Sequence, residues 1–308
     1  MDVLIIGGNR YFGKRLITRL LDAGHRVTVL NRGSSPAPEG VIPLVADRND
    51  EAALERALAG RSFDVVVDQV CYTPRHADIA RRVFAGRTRR YVMTSTVEVY
   101  EYEDSAAPVA EDVLDLAALP VDLGLRWEDP EFLEEHYGEG KRQAEAVFAA
   151  AGAGFAWASV RVAHVLGGAD DFTGRVAHYA ARIRSGEPVA VPVVNRPATY
   201  VYVEEIAAFL FWAAVEAEFA GPVNAHSHGP LTTAEICGEI ERLVGGRTVF
   251  QEVEVGEVSP FSFTRAYAMD NSRAERLGFR FSHSSKWLGT ALAETLHGKP
   301  AGDAEVAV

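Results

Sequence analysis

Residues 1–13 read MDVLIIGGNRYFG, and this stretch decides the fold that the rest of the chain is predicted to follow. A short apolar run, residues 3–6, meets two glycines, and Gly13 then opens a segment with apolar residues at helical spacing. The pattern predicts a strand, a tight turn and a helix. In such a turn, glycines let backbone N–H groups approach a pyrophosphate, and the helix dipole adds to the attraction. The stretch therefore predicts dinucleotide binding, although Arg10 stands where a middle glycine is usual.

Strand-like and helix-like segments alternate after this turn. Apolar or β-branched runs occupy residues 26–31, 41–45, 63–67 and 90–93, with amphipathic segments between them. This alternation predicts the α/β class, a Rossmann-type doubly wound parallel sheet followed by a smaller C-terminal α/β substrate-binding cap. The predicted dinucleotide-binding domain covers residues 1–165, and residues 198–220, with a strand around Val201, are predicted to return to its sheet. The cap and a disordered tail from Gly298 make up residues 166–308.

The end of the second predicted strand bears on the choice of cofactor. An acidic residue there would accept a hydrogen bond from the ribose 2′-hydroxyl of NAD and repel a 2′-phosphate. Asn31 and Arg32 stand there instead, and Arg32, helped by Arg10, can pair with a 2′-phosphate. NADP(H) is therefore favoured, and NAD(H) is the alternative if Arg32 is a solvated turn residue. Asp47, after the third strand, is interpreted either as a partner of the adenine amino group or as the N-cap of a helix over residues 49–58.

The fifth predicted strand ends in Thr94, Ser95 and Thr96, and a later helix carries Tyr137 and Lys141. A tyrosine and a lysine four residues apart share one helical face, so the ammonium can lower the phenol pKa and hold a cofactor ribose. A hydroxyl of Thr96 or Ser95 can orient a substrate carbonyl while Tyr137 transfers a proton. The alternative is a tyrosine that only packs on an amphipathic helix.

Further short motifs follow these in a fixed order. They are GGNRYFG (7–13), TSTVEVY (94–100), YGEGK (137–141), RVAHVLG (161–167), YVYVEE (200–205), the segment 224–229 and DNSRA (270–274). Together they resemble the extended short-chain dehydrogenase/reductase family in its epimerase/dehydratase branch, over nearly the whole chain. Within the branch, the glycine turn and a long acidic insert resemble a subgroup that includes chloroplast RNA-associated proteins.

The resemblance implies hydride transfer at a keto or carbinol carbon, with Thr96, Tyr137 and Lys141 as the candidate catalytic residues. The candidate cofactor-binding residues are Gly7, Asn9, Arg10, Tyr11, Phe12, Gly13, Asn31, Arg32, Asp47, Arg48, Gln69 and Lys141. The leading hypothesis is an NADP(H)-dependent reductase of a small-molecule ketone. A redox-neutral, sugar-nucleotide-type epimerase with tightly held NAD(H) uses the same three catalytic residues and is the alternative. A non-catalytic, RNA-associated cofactor-binding protein is a second alternative.

Some positions depart from the branch pattern. Val97 stands where dehydratases of nucleotide sugars carry an acid, although Glu98 follows it, and this argues against a 4,6-dehydratase. His164 replaces an asparagine and Ala198 an arginine at positions that tend to serve nucleotide-sugar phosphates. The arginines that can compensate are Arg175, Arg196 and Arg265, each otherwise interpreted as a solvated surface residue.

The formal net charge of −12 is concentrated in one segment. Residues 101–136 hold twelve acidic side chains and one basic one, so they carry −11, and the rest of the chain carries −1. This balance argues against nucleic-acid binding, which needs a basic face. Because the segment joins Thr96 to Tyr137, it is interpreted either as solvated surface or as a lid that discourages polyanionic substrates. The substrate is therefore hypothesised to be a neutral or cationic small molecule.

Other features exclude several classes of protein. No apolar run approaches the ~18 residues of a membrane span, and no signal peptide is evident, so a cytoplasmic protein without membrane contact is predicted. The two cysteines are predicted to be reduced thiols. No metal site is predicted, because His226 and His228 lack a third ligand. Similarity to dimeric relatives allows a homodimer through long helices at 77–84 and 132–149.

Overall fold

The computed structural model describes residues 1–34, 36–103, 105, 107–265 and 267–298, and the structural statements below concern these residues. Their strands are β1 (Asp2–Ile6), β2 (Arg26–Asn31), β3 (Ile42–Val45), β4 (Phe63–Asp68), β5 (Thr88–Thr96), β6 (Trp157–Val162), β7 (His164–Leu166), β8 (Pro188–Pro192), β9 (Tyr200–Tyr202), β10 (Gly221–Ala225) and β11 (Val249–Val253). Their helices are α1 (Tyr11–Asp22), α2 (Glu51–Ala57), α3 (Pro74–Phe84), α4 (Pro130–Glu135), α5 (Tyr137–Ala149), α6 (Arg175–Ser185), α7 (Val203–Val215), α8 (Thr233–Val244), α9 (Ser272–Arg276) and α10 (Leu288–His297). None of these helices combines the length and apolarity needed to cross a bilayer. Apart from Gly298, the tail predicted to be disordered lies outside the described residues.

Seven of the described strands form one parallel sheet in the order β3-β2-β1-β4-β5-β6-β10. The chain runs outward from β1 to β3, crosses back to β4 and continues to the opposite edge, so the strand order reverses between β1 and β4. This is the doubly wound Rossmann-type sheet that the sequence predicts, and the predicted fold class is confirmed. In such sheets ligands bind beside the reversal, in the crevice at the carboxyl ends of the strands.

Apolar runs are continuous in the central strands because both faces of the sheet are covered. Val3 and Ile5 of β1 pack into a core that includes side chains of α1 and α7. Leu4 and Ile6 of the same strand pack into a second core with side chains of α2, α3 and α5. All four are buried. The sheet is thus held rigidly between two helical layers, which fixes the position of its carboxyl edge.

The strand around Val201 does not return to the main sheet, contrary to the prediction. It forms β9, which pairs in parallel with β7 in a separate two-stranded sheet. The edge of β6 that it would need is occupied by β10, with Gly221 opposite Ala158. The helix that follows, α7, does pack against α1 and the main sheet. The boundaries of the two domains stay a prediction.

The single helix predicted over residues 132–149 is two helices, α4 and α5, that meet at His136. The backbone of His136 leaves the helical region, with φ −114° and ψ 28°. Its ring stacks on Phe132 at 4.0 Å between centroids, and its Nδ1 lies 2.9 Å from the Phe132 carbonyl oxygen. These contacts close the end of α4, so the chain changes direction before Tyr137 begins α5.

A buried ion pair anchors α5 to the sheet. Arg161 of β6 and Glu145 of α5 are both fully buried, and their closest N and O atoms lie 2.6 Å apart. The guanidinium also donates to the Tyr100 hydroxyl at 2.6 Å and to the Glu111 carbonyl at 3.0 Å. The helix that carries Tyr137 and Lys141 is therefore fixed to β6 and to the acidic segment by one arginine.

Part of the acidic segment is packed structure rather than solvated loop. The backbone of Val109 exchanges hydrogen bonds with that of Ala268 and Asp270, and the Glu111 carboxylate accepts from the backbone N–H of Asn224 at 2.8 Å. Trp127 is buried as well. The segment is thus tied to the cap and to β10 at its centre, and its final residues approach the crevice.

Candidate active site

The turn between β1 and α1 presents open backbone toward the crevice. Gly7 and Gly8 have φ of +79° and +81°, in the left-handed region that favours glycine. A Cβ on Gly13 would lie 2.2 Å from Oε1 of Gln69 and 2.7 Å from Cα of Gly8. Within the part of the chain that the structure describes, no side chain caps the start of α1, where Arg10 is the N-cap residue. Glycine at position 13 is therefore required by packing, and the first turn of α1 is left available to a ligand.

Three of the predicted cofactor residues that lie on the glycine turn or in contact with it carry buried polar atoms without a hydrogen-bond partner in the described part of the chain. They are Asn9 through Oδ1, Tyr11 through its hydroxyl and Gln69 through Nε2. Leaving a buried polar group unpaired costs about 1–3 kcal/mol, so a cluster of such groups is typical of a site that a ligand completes. Together with the open glycine turn, these groups fit a dinucleotide, which offers many donors and acceptors.

The residues predicted to choose between NAD(H) and NADP(H) lie at the end of β2 and on the glycine turn. The side chain of Asn31 accepts a hydrogen bond from the backbone N–H of Gly33 at 2.8 Å, which orients it within the turn. Arg10 and Arg32 are exposed, and neither guanidinium forms a hydrogen bond or an ion pair with another described residue. Both cations are therefore available to a ligand, and their role stays a prediction.

Asp47 is not the N-cap of the following helix. α2 is capped by Asp50, whose carboxylate accepts from the backbone N–H of Ala53 at 2.9 Å. From the described residues, the exposed Asp47 carboxylate accepts a hydrogen bond only from the N–H of Asn49 in the same turn. The N-cap alternative is therefore wrong by three residues, because the chain makes a further turn before α2. The adenine-binding interpretation of Asp47 stays a prediction.

Arg48 is engaged within the protein interior. Its guanidinium forms an ion pair of 2.6 Å with Asp68, which is fully buried at the end of β4, and donates to the His76 carbonyl at 3.0 Å. Only its Nε lacks a partner among the described residues. Its partner Asp68 lies opposite Ile6 of β1, the residue directly before the glycine turn, and the role of Arg48 at the cofactor stays a prediction.

A cavity of about 480 Å³ opens at the carboxyl edge of the sheet and brings the predicted catalytic residues together. Its lining includes the three predicted catalytic residues, Thr96, Tyr137 and Lys141. Tyr11, Phe12 and Gln69 from the predicted cofactor set also line it, as do residues of the acidic segment and the cap. Residues more than 100 positions apart in sequence thus share one cavity with the glycine turn.

The electrostatics of this cavity centre on Lys141. Its Nζ donates a hydrogen bond of 2.7 Å to the Thr94 carbonyl, and burial lowers the pKa of its ammonium to about 8. Burial and the neighbouring Tyr72 phenol raise the pKa of Tyr137, while a hydrogen bond with Thr96 acts in the opposite direction. The Thr96 hydroxyl also accepts from the backbone N–H of Glu98 at 3.3 Å. The site can therefore hold a neutral phenol beside an ammonium and a hydroxyl, as proton transfer to a carbonyl requires.

Glu98 follows Val97, the position at which dehydratases of nucleotide sugars carry an acid. Its carboxylate is held by residues of the cap. Its carboxylate accepts from the Tyr267 hydroxyl at 2.7 Å and pairs with the Arg265 guanidinium at 3.2 Å. Burial raises the pKa of Glu98, and Arg265 opposes this shift. Arg265 is therefore not solvated surface, as its default interpretation had it. It balances the charge of a carboxylate that lines the cavity.

His164 and Arg175 line the substrate side of the cavity. The His164 ring stacks on Phe263 at 4.8 Å, and its buried Nε2 has no partner among the described residues. Burial, aided by Arg175 and Arg265, lowers its pKa to about 3, so the imidazole is neutral. Arg175, at the start of α6, forms no ion pair with another described residue and faces the cavity. By contrast, Arg196 is exposed.

Several lining residues were not predicted as site residues. Tyr72 comes from the loop after β4, and Phe172 and Thr173 come from the loop before α6. The signal for Tyr72 was its position just past the carboxyl end of a central strand, where ligands bind. No comparable sequence signal marks Phe172 or Thr173, because the cap brings them there.

The acidic segment contributes to the rim of the cavity. Glu101, Glu134 and Glu135 all line it. Glu101 is paired with Arg142 at 3.2 Å, whereas Glu134 and Glu135 are exposed at the end of α4. The rim is therefore acidic, as the hypothesis of a charged lid requires. No group of three residues able to hold a metal ion occurs in the described ranges.

A doubly wound sheet, an open glycine turn and a threonine, tyrosine and lysine around one cavity define the class of short-chain dehydrogenase/reductase folds. The model of the NAD dependent epimerase/dehydratase family matches residues 3–225, and the chain belongs to that family. The predicted family is confirmed.

Known proteins are similar to this chain at low identity. A chloroplast stem-loop binding protein of 41 kDa (form b) from Arabidopsis thaliana is 24% identical over 207 residues, which cover 62% of this chain and 48% of that protein. The match thus spans about half the length of this curated relative. Among solved structures, UDP-glucose 4-epimerase of Thermotoga maritima with UDP-glucose has a TM-score of 0.73 at 19% identity, over 96% of this chain and 98% of the other. The dTDP-glucose 4,6-dehydratase of Bacillus anthracis in complex with NAD has a TM-score of 0.75 at 12% identity, over 97% of both chains. These two likenesses establish the fold alone.

Proposed function

We propose that the protein is an NADP(H)-dependent reductase of a small-molecule ketone. The observation that carries this proposal is the single cavity that joins Thr96, Tyr137 and Lys141 to the unpaired polar groups beside the glycine turn. The dinucleotide, when bound, would supply a hydride to the carbonyl carbon. The residues of the chain supply the proton and the orientation.

Each catalytic side chain has a separate task. Tyr137 donates its phenolic proton to the carbonyl oxygen as the carbinol forms, and its raised pKa keeps that proton in place at neutral pH. The Lys141 ammonium stabilises the phenolate that remains and binds the cofactor ribose. The Thr96 hydroxyl donates to the carbonyl oxygen and so orients it toward Tyr137.

The preference for NADP(H) is supported by the charges around the adenosine end of the site. β2 ends without an acidic residue, and Arg10 and Arg32 are exposed cations without ion pairs to other described residues. Arginine binds phosphate through paired N–H donors, which suits a 2′-phosphate. The acidic rim supports a neutral or cationic substrate. Arg175, a cation within the cavity, instead favours an anionic group on the substrate.

A redox-neutral epimerase with tightly held NAD(H) is the second candidate. The similarity to UDP-glucose 4-epimerase over 96% of the chain favours it, and the same three catalytic residues serve it. The two functions differ in whether the cofactor is consumed.

The first experiment is a titration of the purified protein with NADPH and with NADH, followed by tryptophan fluorescence, together with denaturation of an untreated sample. We expect reversible, preferential NADPH binding with no dinucleotide released on denaturation. Arg32→Ser should weaken NADPH binding about tenfold or more and leave NADH unchanged, because a charge-assisted pair is lost. The matched control is Arg61→Ser, an exposed arginine remote from the turn.

A panel of ketones then tests the chemistry. Tyr137→Phe should retain NADPH binding within a few-fold and lose about 10²–10⁴ of the turnover, because only the proton donor is removed. Stoichiometric NAD(H) released only on denaturation, with tight saturable binding of UDP-glucose, would instead establish the epimerase.

A further inference from the structure

The ammonium of Lys141 lies between two tyrosine rings. Its Nζ is 4.6 Å from the ring centroid of Tyr72 and 5.8 Å from that of Tyr137. The two ring centroids are 6.2 Å apart. Within the described residues, the only hydrogen bond of this ammonium goes to the Thr94 carbonyl. An ammonium carries three N–H donors, so two of them have no acceptor among those residues. The positive charge therefore needs stabilisation from groups other than hydrogen-bond acceptors of the chain.

We propose that Tyr72 is a positioning residue whose ring face keeps the Lys141 ammonium charged and in place for Tyr137 and for a cofactor ribose. The proposal rests on the function proposed above. A cation within about 6 Å of an aromatic ring centroid is attracted by the ring quadrupole, most strongly where water is excluded. Tyr72 is nearer to Nζ than Tyr137 is, and it lines the same cavity.

The backbone of Tyr72 is held from both sides, which fixes the point from which its ring extends. Its N–H donates to Nδ1 of His76 at 3.1 Å, and Thr73, the next residue, caps α3. On the other side, a Cβ on Gly140 would lie 2.5 Å from the Tyr72 carbonyl oxygen. α5 therefore packs directly on the Tyr72 backbone, one residue before Lys141.

Among the described residues, the charged groups near Lys141 do not provide a free counter-ion. The titratable and charged groups that face it are Arg48, Asp68, Cys71, Tyr72, His76, Tyr137 and Glu145. Asp68 is paired with Arg48 and Glu145 with Arg161, in each case at 2.6 Å. Arg48 itself repels the ammonium. Burial already lowers the lysine pKa to about 8, close to neutral pH. The ring of Tyr72 therefore acts where a small further fall in the pKa would remove the charge from part of the ammonium.

A direct test follows the lysine itself. The chain contains four lysines, at positions 14, 141, 286 and 299, so protein labelled with ¹³Cε-lysine gives few signals, and Lys141→Met assigns the one of interest. The titration midpoint of Lys141 is compared in the wild type, Tyr72→Phe and Tyr72→Leu. We expect the first two to agree, because both keep the ring. Tyr72→Leu should lower the midpoint by about 0.5–1 pH unit, since it removes a group that favours the charged form.

A second measurement follows NADPH affinity across the same pH range. The alkaline pH at which affinity falls should move down in Tyr72→Leu and stay in place in Tyr72→Phe. The matched control is Phe219→Leu, which removes a ring 4.6 Å from the Arg90 guanidinium and should move neither midpoint.

Three outcomes separate this inference from the proposed function. An unchanged Lys141 midpoint in Tyr72→Leu overturns the inference, and so does a uniform loss of affinity at every pH, which a merely structural role would give. The third outcome is that the wild type binds neither NADPH nor NADH while Tyr72→Leu still has a lowered Lys141 midpoint. This result overturns the proposed function and supports the placement of the ammonium by Tyr72.

Discussion

Burial of the Lys141 ammonium in the cavity lowers the free energy of unfolding of the protein. The side chain is almost fully buried, and its pKa falls from 10.5 to about 8. We predict that Lys141→Met raises the free energy of unfolding of the ligand-free protein by ~2 kcal/mol at neutral pH. The gain in stability comes from removing the buried charge, whose cost the shift of the pKa measures. Loss of the hydrogen bond to Thr94 makes the gain smaller. Denaturant unfolding measures this change.

The pH dependence of that difference follows from the sign of the shift. A lysine with a lowered pKa in the folded state binds its proton more tightly when unfolded, so the cost is fully present below about pH 8 and disappears as the pH rises through 10.5. The advantage of Lys141→Met should therefore shrink between these values. Lys286→Met, at an exposed position, serves as the control and should change little. A constant difference at all pH values would contradict the prediction.

The glycine turn and α1 carry the second prediction. Gly13→Ala places a Cβ in contact with Oε1 of Gln69 and the Gly8 backbone. We expect it to destabilise the protein by about 1–3 kcal/mol, because a well-packed position is overfilled, and to weaken dinucleotide binding at least tenfold. Thermal unfolding and a fluorescence titration measure both effects.

A matched glycine lies in α8, where a Cβ on Gly238 would meet no atom of the described residues within 4 Å. Gly238→Ala should be neutral or stabilise by about 0.5–1 kcal/mol, because alanine is the better helix former. Dinucleotide binding by Gly13→Ala at the wild-type level would mean that the ligand does not approach this turn.

Local signals predicted some elements and not others. β1, the glycine turn and α1 could be read from thirteen residues because their contacts are close in sequence. The break between α4 and α5 could not, because it depends on how the His136 ring packs on Phe132. The N-cap of α2 is Asp50 and not Asp47, for which capping was one of two interpretations, because both are acids before the same apolar segment and only the length of the turn separates them.

The charge of the whole chain leads to a prediction about RNA. The net charge is −12, and residues 101–136 carry −11 of it. Although one relative is named a stem-loop binding protein, we expect no gel-shift complex with an RNA stem-loop at ~150 mM salt, because phosphate backbones bind to basic faces. NADPH binding in the same buffer shows that the sample is folded. A complex that survives at this salt concentration would support the non-catalytic alternative.

The sequence by itself determined the order of strands and helices, the dinucleotide turn, the family and the pairing of Tyr137 with Lys141. The elements, the turn and the spacing of Tyr137 and Lys141 follow from periodicity, glycine geometry and spacing within one helix, which are all local, whereas the family follows from the resemblance of short motifs that occur in a fixed order. Only the tertiary structure decided that Arg48 is paired with Asp68, that β10 rather than β9 completes the main sheet, and that Tyr72 lies against the Lys141 ammonium. Such facts depend on contacts between residues far apart in the chain, and no local pattern encodes them.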